Sequence, residues 1–184
     1  MLTPRIKRTV TAFLLTFALS APLTAQETDL DALFQELIEA DEDTHERIAD
    51  RITRRFEQSG SPAMDLLLRR GNDAAEEGEF NVAIEHFTAL VDHAPDFAEG
   101  YHSRASAYFM AGLIGPAIDD LRQTLVLNPR HFDAMFGVGI ILEELGREDD
   151  AILAYQAIQE IYPLDPEAAE ALSRLETQTT GQQI

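Results

Sequence analysis

Three stretches of the chain read GEFNVAIEHFTALVDHAP (78–95), GLIGPAIDDLRQTLVLNP (112–129) and GREDDAILAYQAIQEIYP (146–163), and their alignment decides the fold. Gly78, Gly112 and Gly146 recur every 34 residues, as do Pro95, Pro129 and Pro163, and the pairs Ala83-Ile84, Ala117-Ile118 and Ala151-Ile152 keep the same spacing. Independent columns with one period mark an internal repeat. Each column has a physical reason in a helix-turn-helix unit. Gly ends the first helix in a left-handed conformation, Ala lets the second helix approach the first closely, and Pro closes the second helix because it has no N–H to continue it.

Apolar residues between these columns recur at helical spacing. The pattern predicts helices over Ala63 to Glu77 and Phe80 to His93, Ala98 to Ala111 and Ile114 to Leu127, and Phe132 to Leu145 and Glu148 to Ile161. The units are then 63–97, 98–131 and 132–165.

These residues resemble the tetratricopeptide repeat (TPR) family, whose pattern sets small and large residues at fixed places in both helices. Unit one answers with Leu67, Arg70-Gly71, Ala74, Ala83, Phe87 and Pro95. Unit two answers with Tyr101, Arg104-Ala105, Tyr108, Ala117, Leu121 and Pro129, and unit three with Met135, Val138-Gly139, Leu142, Ala151, Tyr155 and Pro163. Arg70 and Arg104 depart from the usual Leu, and Ala74 from the usual Tyr, which predicts partly exposed helix faces there. The resemblance implies an all-α fold, a right-handed α-solenoid of helix-turn-helix repeats.

A stack of such units leaves its two ends apolar, so the flanks are expected to cap it. Asp165 as N-cap and Pro166 in the first turn predict a closing helix over Pro166 to Glu176, with a polar tail to Ile184. Upstream, Leu30, Leu33, Phe34, Leu37 and Ile38 form one amphipathic stripe and Ile48, Ile52 and Phe56 another, with Thr44 as a cap between them. Residues 26–62 therefore read as a hairpin cap or a degenerate repeat of the same stack.

Met1 to Ala25 has Arg5, Lys7 and Arg8, then the apolar run Val10 to Leu19, then Pro22 and small residues, the layout of a secretory signal cleaved after Ala25. Ten residues span about 15 Å as a helix, against about 30 Å of bilayer hydrocarbon, so the run is too short to serve as an anchor. The expected location is the periplasm or the exterior. The whole chain of 184 residues carries a net charge of −19 and no Cys, which excludes a disulfide framework and thiol chemistry. Removing the signal leaves 11 Arg, no Lys and 33 acids, a net charge of −22. Nucleic acids and anionic membranes are poor partners for such a surface.

The resemblance places the first helix of each unit on the concave face, where family members bind extended or helical peptides. By position it nominates Arg69 and Asn72 from unit one, His102, Ser106 and Phe109 from unit two, and Phe136, Ile140 and Glu143 from unit three. Phe109, Met110, Phe136 and Ile140 offer apolar pockets or pack between neighbouring helices. Glu76, Glu143 and Glu144 favour a basic ligand residue. Asn72 matches an Asn that some family members use to grip a peptide carboxylate, but Leu68, Ser103, Asp133 and Gly137 stand at the other grip positions, which argues against an acidic tail as ligand.

Arg47, Arg51, Arg54 and Arg55 share one helix face. They either dock on an acidic surface, of a partner or of another copy, or pair locally with Asp41, Glu42, Asp43 and Asp50. The five His lie outside helical ligand spacing of one another, Ala49 occupies the place of the second His in the string begun by His45-Glu46, and no phosphate loop or nucleophile elbow occurs. No catalytic residue, metal or cofactor is assigned. The reading is a protein-binding adaptor or scaffold. The alternative is a structural subunit that assembles through its end caps and Arg stripe.

Overall fold

The computed structural model describes residues 22–181, with side chains from 29 to 177. In chain order these residues form α1 (Pro22–Ile38), α2 (His45–Phe56), α3 (Pro62–Glu76), α4 (Phe80–His93), α5 (Ala98–Met110), α6 (Ile114–Leu127), α7 (Phe132–Glu144), α8 (Glu148–Ile161) and α9 (Pro166–Gly181). The six repeat helices α3 to α8 start and end within one residue of the predicted positions. The closing helix runs further than expected, to Gly181 in the polar tail. The charged start and apolar run of the expected signal lie outside the described residues, and the point after Ala25 falls in the first turns of α1.

Each unit turns the same way. Gly78, Gly112 and Gly146 adopt φ of 76°, 76° and 69°, a region that a Cβ makes costly. The residue after each glycine donates its N–H back into the first helix, Glu79 to the Ala74 carbonyl at 2.8 Å, Leu113 to Tyr108 at 2.8 Å and Arg147 to Leu142 at 2.9 Å. Carbonyls that a helix end would leave unpaired are thereby satisfied. Ala83, Ala117 and Ala151 are fully buried where the second helix meets the first. The result is an all-α repeat solenoid with the first helices α3, α5 and α7 side by side.

Three core clusters follow one another along the stack. Leu68, Ala83, Phe87, Leu90 and Ala107 join units one and two, and Ala105, Ala117, Leu121, Ala134 and Ile141 join units two and three. The third cluster joins unit three to α9 and also takes in the hairpin, through Leu33, Phe34 and Leu37 of α1 and Ile48, Ile52 and Phe56 of α2.

The hairpin, expected as a cap or degenerate repeat of the stack, docks on its last unit. α1 packs on α8, and α2 lies along the row of inter-unit turns. At its start the His45 imidazole shares a hydrogen bond of 2.7 Å with the Tyr162 hydroxyl. At its end the Phe56 ring stacks on His131 with centroids 4.6 Å apart. Arg130 completes the junction, with its guanidinium 4.3 Å over the Phe34 ring and an ion pair to Asp31.

The caps divide. Asp165 accepts the Ala168 N–H at 2.7 Å, as its sequence position suggests. Thr44 does not cap α2; its hydroxyl donates backwards to Asp41 at 2.6 Å. Of the two Arg departures, Arg70 is exposed, but Arg104 is not: its side chain is 15% accessible and forks onto Asp120 at 2.6 and 2.9 Å. It also reaches Thr88 and lies against the rings of Tyr101 and Tyr108, so hydrogen bonds and stacking replace the apolar packing of Leu.

Candidate functional site

On α5, His102, Ser106 and Met110 fall four residues apart and form one ridge. A hollow of about 440 Å³ lies on one side of it, walled by Asn72, Ala75 and Glu76 of α3 and floored by Phe80 and Phe87 of α4. A hollow of about 310 Å³ lies on the other, walled by Asp133, Phe136 and Ile140 of α7 and floored by Leu121 and Ile141. His102, Ser106 and Met110 line both. Phe109 enters the second, which is mostly apolar apart from its Asp133 edge.

Of the residues nominated from sequence, the structure brings Asn72, His102, Ser106, Phe109, Phe136 and Ile140 to this continuous face. Arg69 is exposed and lines neither hollow. Glu143 is also elsewhere. It accepts the Tyr155 hydroxyl at 2.7 Å and both fork nitrogens of Arg174 on α9, and Arg174 holds its carboxyl below the usual carboxylate range. Its charge is answered within the chain, so it ties α9 to α7 rather than facing a ligand.

Beneath the ridge lies a cluster that helical spacing could not reveal, because His131 sits in the turn before α7, far in sequence from α5. One Glu99 oxygen accepts from His102 Nδ1 and from the Ser103 hydroxyl, both at 3.1 Å, and the other accepts from His131 Nε2 at 3.0 Å. The two imidazole centroids are 4.5 Å apart. Burial pushes the Glu99 carboxyl up, but the imidazoles beside it outweigh that and hold it far below the usual range. Burial likewise pulls the His102 imidazole down, and the Glu99 carboxylate overrides it and raises it.

Ligand atoms of Glu99, His102 and His131 all lie within 4.8 Å of one another, a grouping that could hold a metal ion. The hydrogen bonds assign it differently. His131 is fully buried and its Nδ1 accepts the Ala134 N–H at the start of α7, which places the ring proton on Nε2, facing Glu99. A metal on that nitrogen would have to break both bonds. The cluster is a hydrogen-bonded network that orients His102, with one nitrogen held by Glu99 and the other edge of its ring at the hollows.

The Arg stripe is largely taken up inside the hairpin. Arg51 pairs with Glu36 and Arg55 with Asp29, both on α1, and Arg54 lies 3.9 Å from Asp50. Local pairing is therefore what the fold adopts, though α1 supplies most of the acids, rather than the Asp41 to Asp43 run.

The family model described as Tetratricopeptide repeat matches residues 68–115 and 115–166. A TPR repeat-containing protein of Rhizobium etli is 31% identical over 153 residues, covering 83% of this chain and 75% of the relative. Among solved structures, the first TPR of Spaghetti (RPAP3) bound to the HSP90 peptide SRMEEVD is 25% identical, with a TM-score of 0.60, over 64% of this chain and 93% of that one. The second TPR domain of human RPAP3, in complex with the HSP70 peptide SGPTIEEVD, is 25% identical with a TM-score of 0.55, over 59% of this chain and 90% of that one. With its repeat columns, its helix pairs and these matches in agreement, the chain belongs to the tetratricopeptide repeat family.

Proposed function

We propose that this chain is an exported protein-interaction module, an adaptor or scaffold that holds a segment of a partner protein across α3, α5 and α7. The observation that carries the reading is the pair of adjoining hollows on one face, about 440 and 310 Å³, sharing the ridge of His102, Ser106 and Met110. Shallow apolar hollows with a few polar groups at their edges suit alternate side chains of one peptide. The peptides held by the two RPAP3 domains support the same use of the fold. No catalytic role is assigned to His102, whose Nδ1 is held by Glu99 at 3.1 Å.

Export is supported by the charged start, short apolar run and small residues before Gln26. Among the described residues no helix is long and apolar enough to cross a membrane. Self-assembly through the Arg stripe has less behind it, because three of the four Arg are paired inside the hairpin.

The test is site-specific photocrosslinking in cells expressing the full chain. A crosslinker in place of Ser106 is expected to capture a partner, one in place of Val126 on α6 is not, and Phe109→Ala with Phe136→Ala is expected to abolish the Ser106 product while helicity is kept. Capture from Val126 alone would move the site off this face. Fractionation, with N-terminal sequencing of the mature chain, checks export: a chain retained inside with Met1 intact contradicts it.

A further inference from the structure

The two hollows together are lined by three carboxylates, Glu76, Glu99 and Asp133, and by no Arg. These carboxylates are not equivalent. Glu99 has both oxygens engaged by His102, Ser103 and His131. Glu76 is exposed at the rim of the first hollow. Asp133, in the first turn of α7, forms the edge of the second hollow, is half-buried, and has neither a hydrogen bond nor an ion pair with the described residues. Burial pushes its carboxyl up, with His102 and His131 near enough to offset this only in part. A carboxylate so placed gains from any cation delivered to it, because the fold has already met part of the cost of removing it from water.

Beside Asp133 the second hollow is apolar, with Phe109, Phe136 and Ile140 around Leu121 and Ile141. A ligand that fills it must present a large apolar side chain and a positive charge a short distance along the same segment. An acidic segment would meet Glu76, Glu99 and Asp133, and the basic side chain lining the hollows, His102, is already engaged by Glu99. The acidic residues of SRMEEVD and SGPTIEEVD, held by the RPAP3 domains, are therefore the wrong sign for this groove.

We propose that the second hollow is a recognition subsite for a partner segment that pairs an apolar anchor with a neighbouring Lys or Arg, the anchor seated among Phe109, Phe136 and Ile140 and the cation on Asp133. The proposal rests on the groove reading above and narrows its ligand by sign of charge.

The experiment is selection of a random dodecapeptide display library on the chain from Gln26 onward, keeping only peptides that bind the wild type and not the Phe109→Ala/Phe136→Ala variant. The retained peptides are expected to be enriched in Lys and Arg within a few positions of an apolar residue and depleted in Asp and Glu. Affinity for a retained peptide, read by fluorescence anisotropy, is expected to fall on the order of tenfold in Asp133→Asn and to weaken with added salt. Asp133→Lys is expected to turn the selection towards acidic peptides; if that variant does not fold, Asp133→Asn decides alone. Groove-dependent peptides that are neutral or acidic, or an affinity indifferent to Asp133→Asn in a folded variant, would overturn the charge assignment and leave the groove reading standing. A library that returns no groove-dependent peptide overturns both.

Discussion

Gly139 lies so close against the ring of Tyr155 that a Cβ there would overlap ring atoms, and Gly71 stands in the same relation to Phe87. In the middle unit the corresponding pair is Ala105 and Leu121, packed in one cluster, so a larger residue on the first helix accompanies a smaller one on the second. The volume at each crossing is conserved while its division changes.

Gly139→Ala is accordingly expected to destabilise the chain by roughly 1 to 3 kcal/mol, since a buried aromatic ring has nowhere to move. The check is coupling rather than loss. Gly139→Ala combined with Tyr155→Leu copies the middle unit and should cost less in urea denaturation than the two single changes added together. Strict additivity would show that the close approach is not what makes glycine necessary.

Arg104 and Asp120 form a second pair whose removal should be asymmetric. Arg104→Leu restores the commoner family residue yet leaves Asp120, with its side chain 10% accessible, without its cation, and is expected to cost roughly 3 to 5 kcal/mol. Arg104→Leu with Asp120→Ala should recover most of that in thermal melting. A single variant as stable as the wild type would mean that water replaces the guanidinium at no cost.

The Glu99 and His102 pair predicts a pH dependence with a definite sign. The His102 contribution is full below its unfolded value of 6.5 and is lost as pH rises through its higher folded value. The Glu99 contribution is present above its unfolded value of 4.5 and is lost as pH falls through its lower folded value. Asp133 and Glu57, both raised chiefly by burial, act oppositely on the acid side by gaining from protonation. The melting temperature is expected to decline from pH 6 towards pH 9, and His102→Gln should remove most of that slope. An equal slope in wild type and variant would place the titration elsewhere.

Phe56 joins the hairpin to the turn that carries His131. Phe56→Ala is expected to weaken this docking by roughly 3 to 5 kcal/mol. Hydrogen exchange should then quicken in α1 and α2 first, with α3 to α6 keeping their protection. Uniform loss of protection throughout would instead show that the hairpin is part of the nucleus of the whole stack.

Much of this molecule is legible in one dimension because its repeating contacts are short-range. Gly78, Gly112 and Gly146 end helices through local backbone geometry, and the next helix begins two residues later in every unit. The same register placed Asn72, His102, Phe109 and Phe136 on one face, since residues four apart on neighbouring helices line a common surface. Glu143 shows where register stops: it shares that helix, but its charge is claimed by Arg174, 31 residues away on an element whose angle no periodicity reports.

By itself the sequence determined the repeat, its turns and the boundaries of the repeat helices, because each depends on residues within one 34-residue unit or its neighbour. Only the tertiary structure decided where the hairpin docks, that His131 meets Glu99, and that Asp133 edges the second hollow with no hydrogen bond to the described residues. An apolar stripe states that a helix must be covered, and a polar side chain states that it must be satisfied or solvated. Which group does so is settled by packing between segments far apart in the chain, where hydrophobic burial carries no directional code.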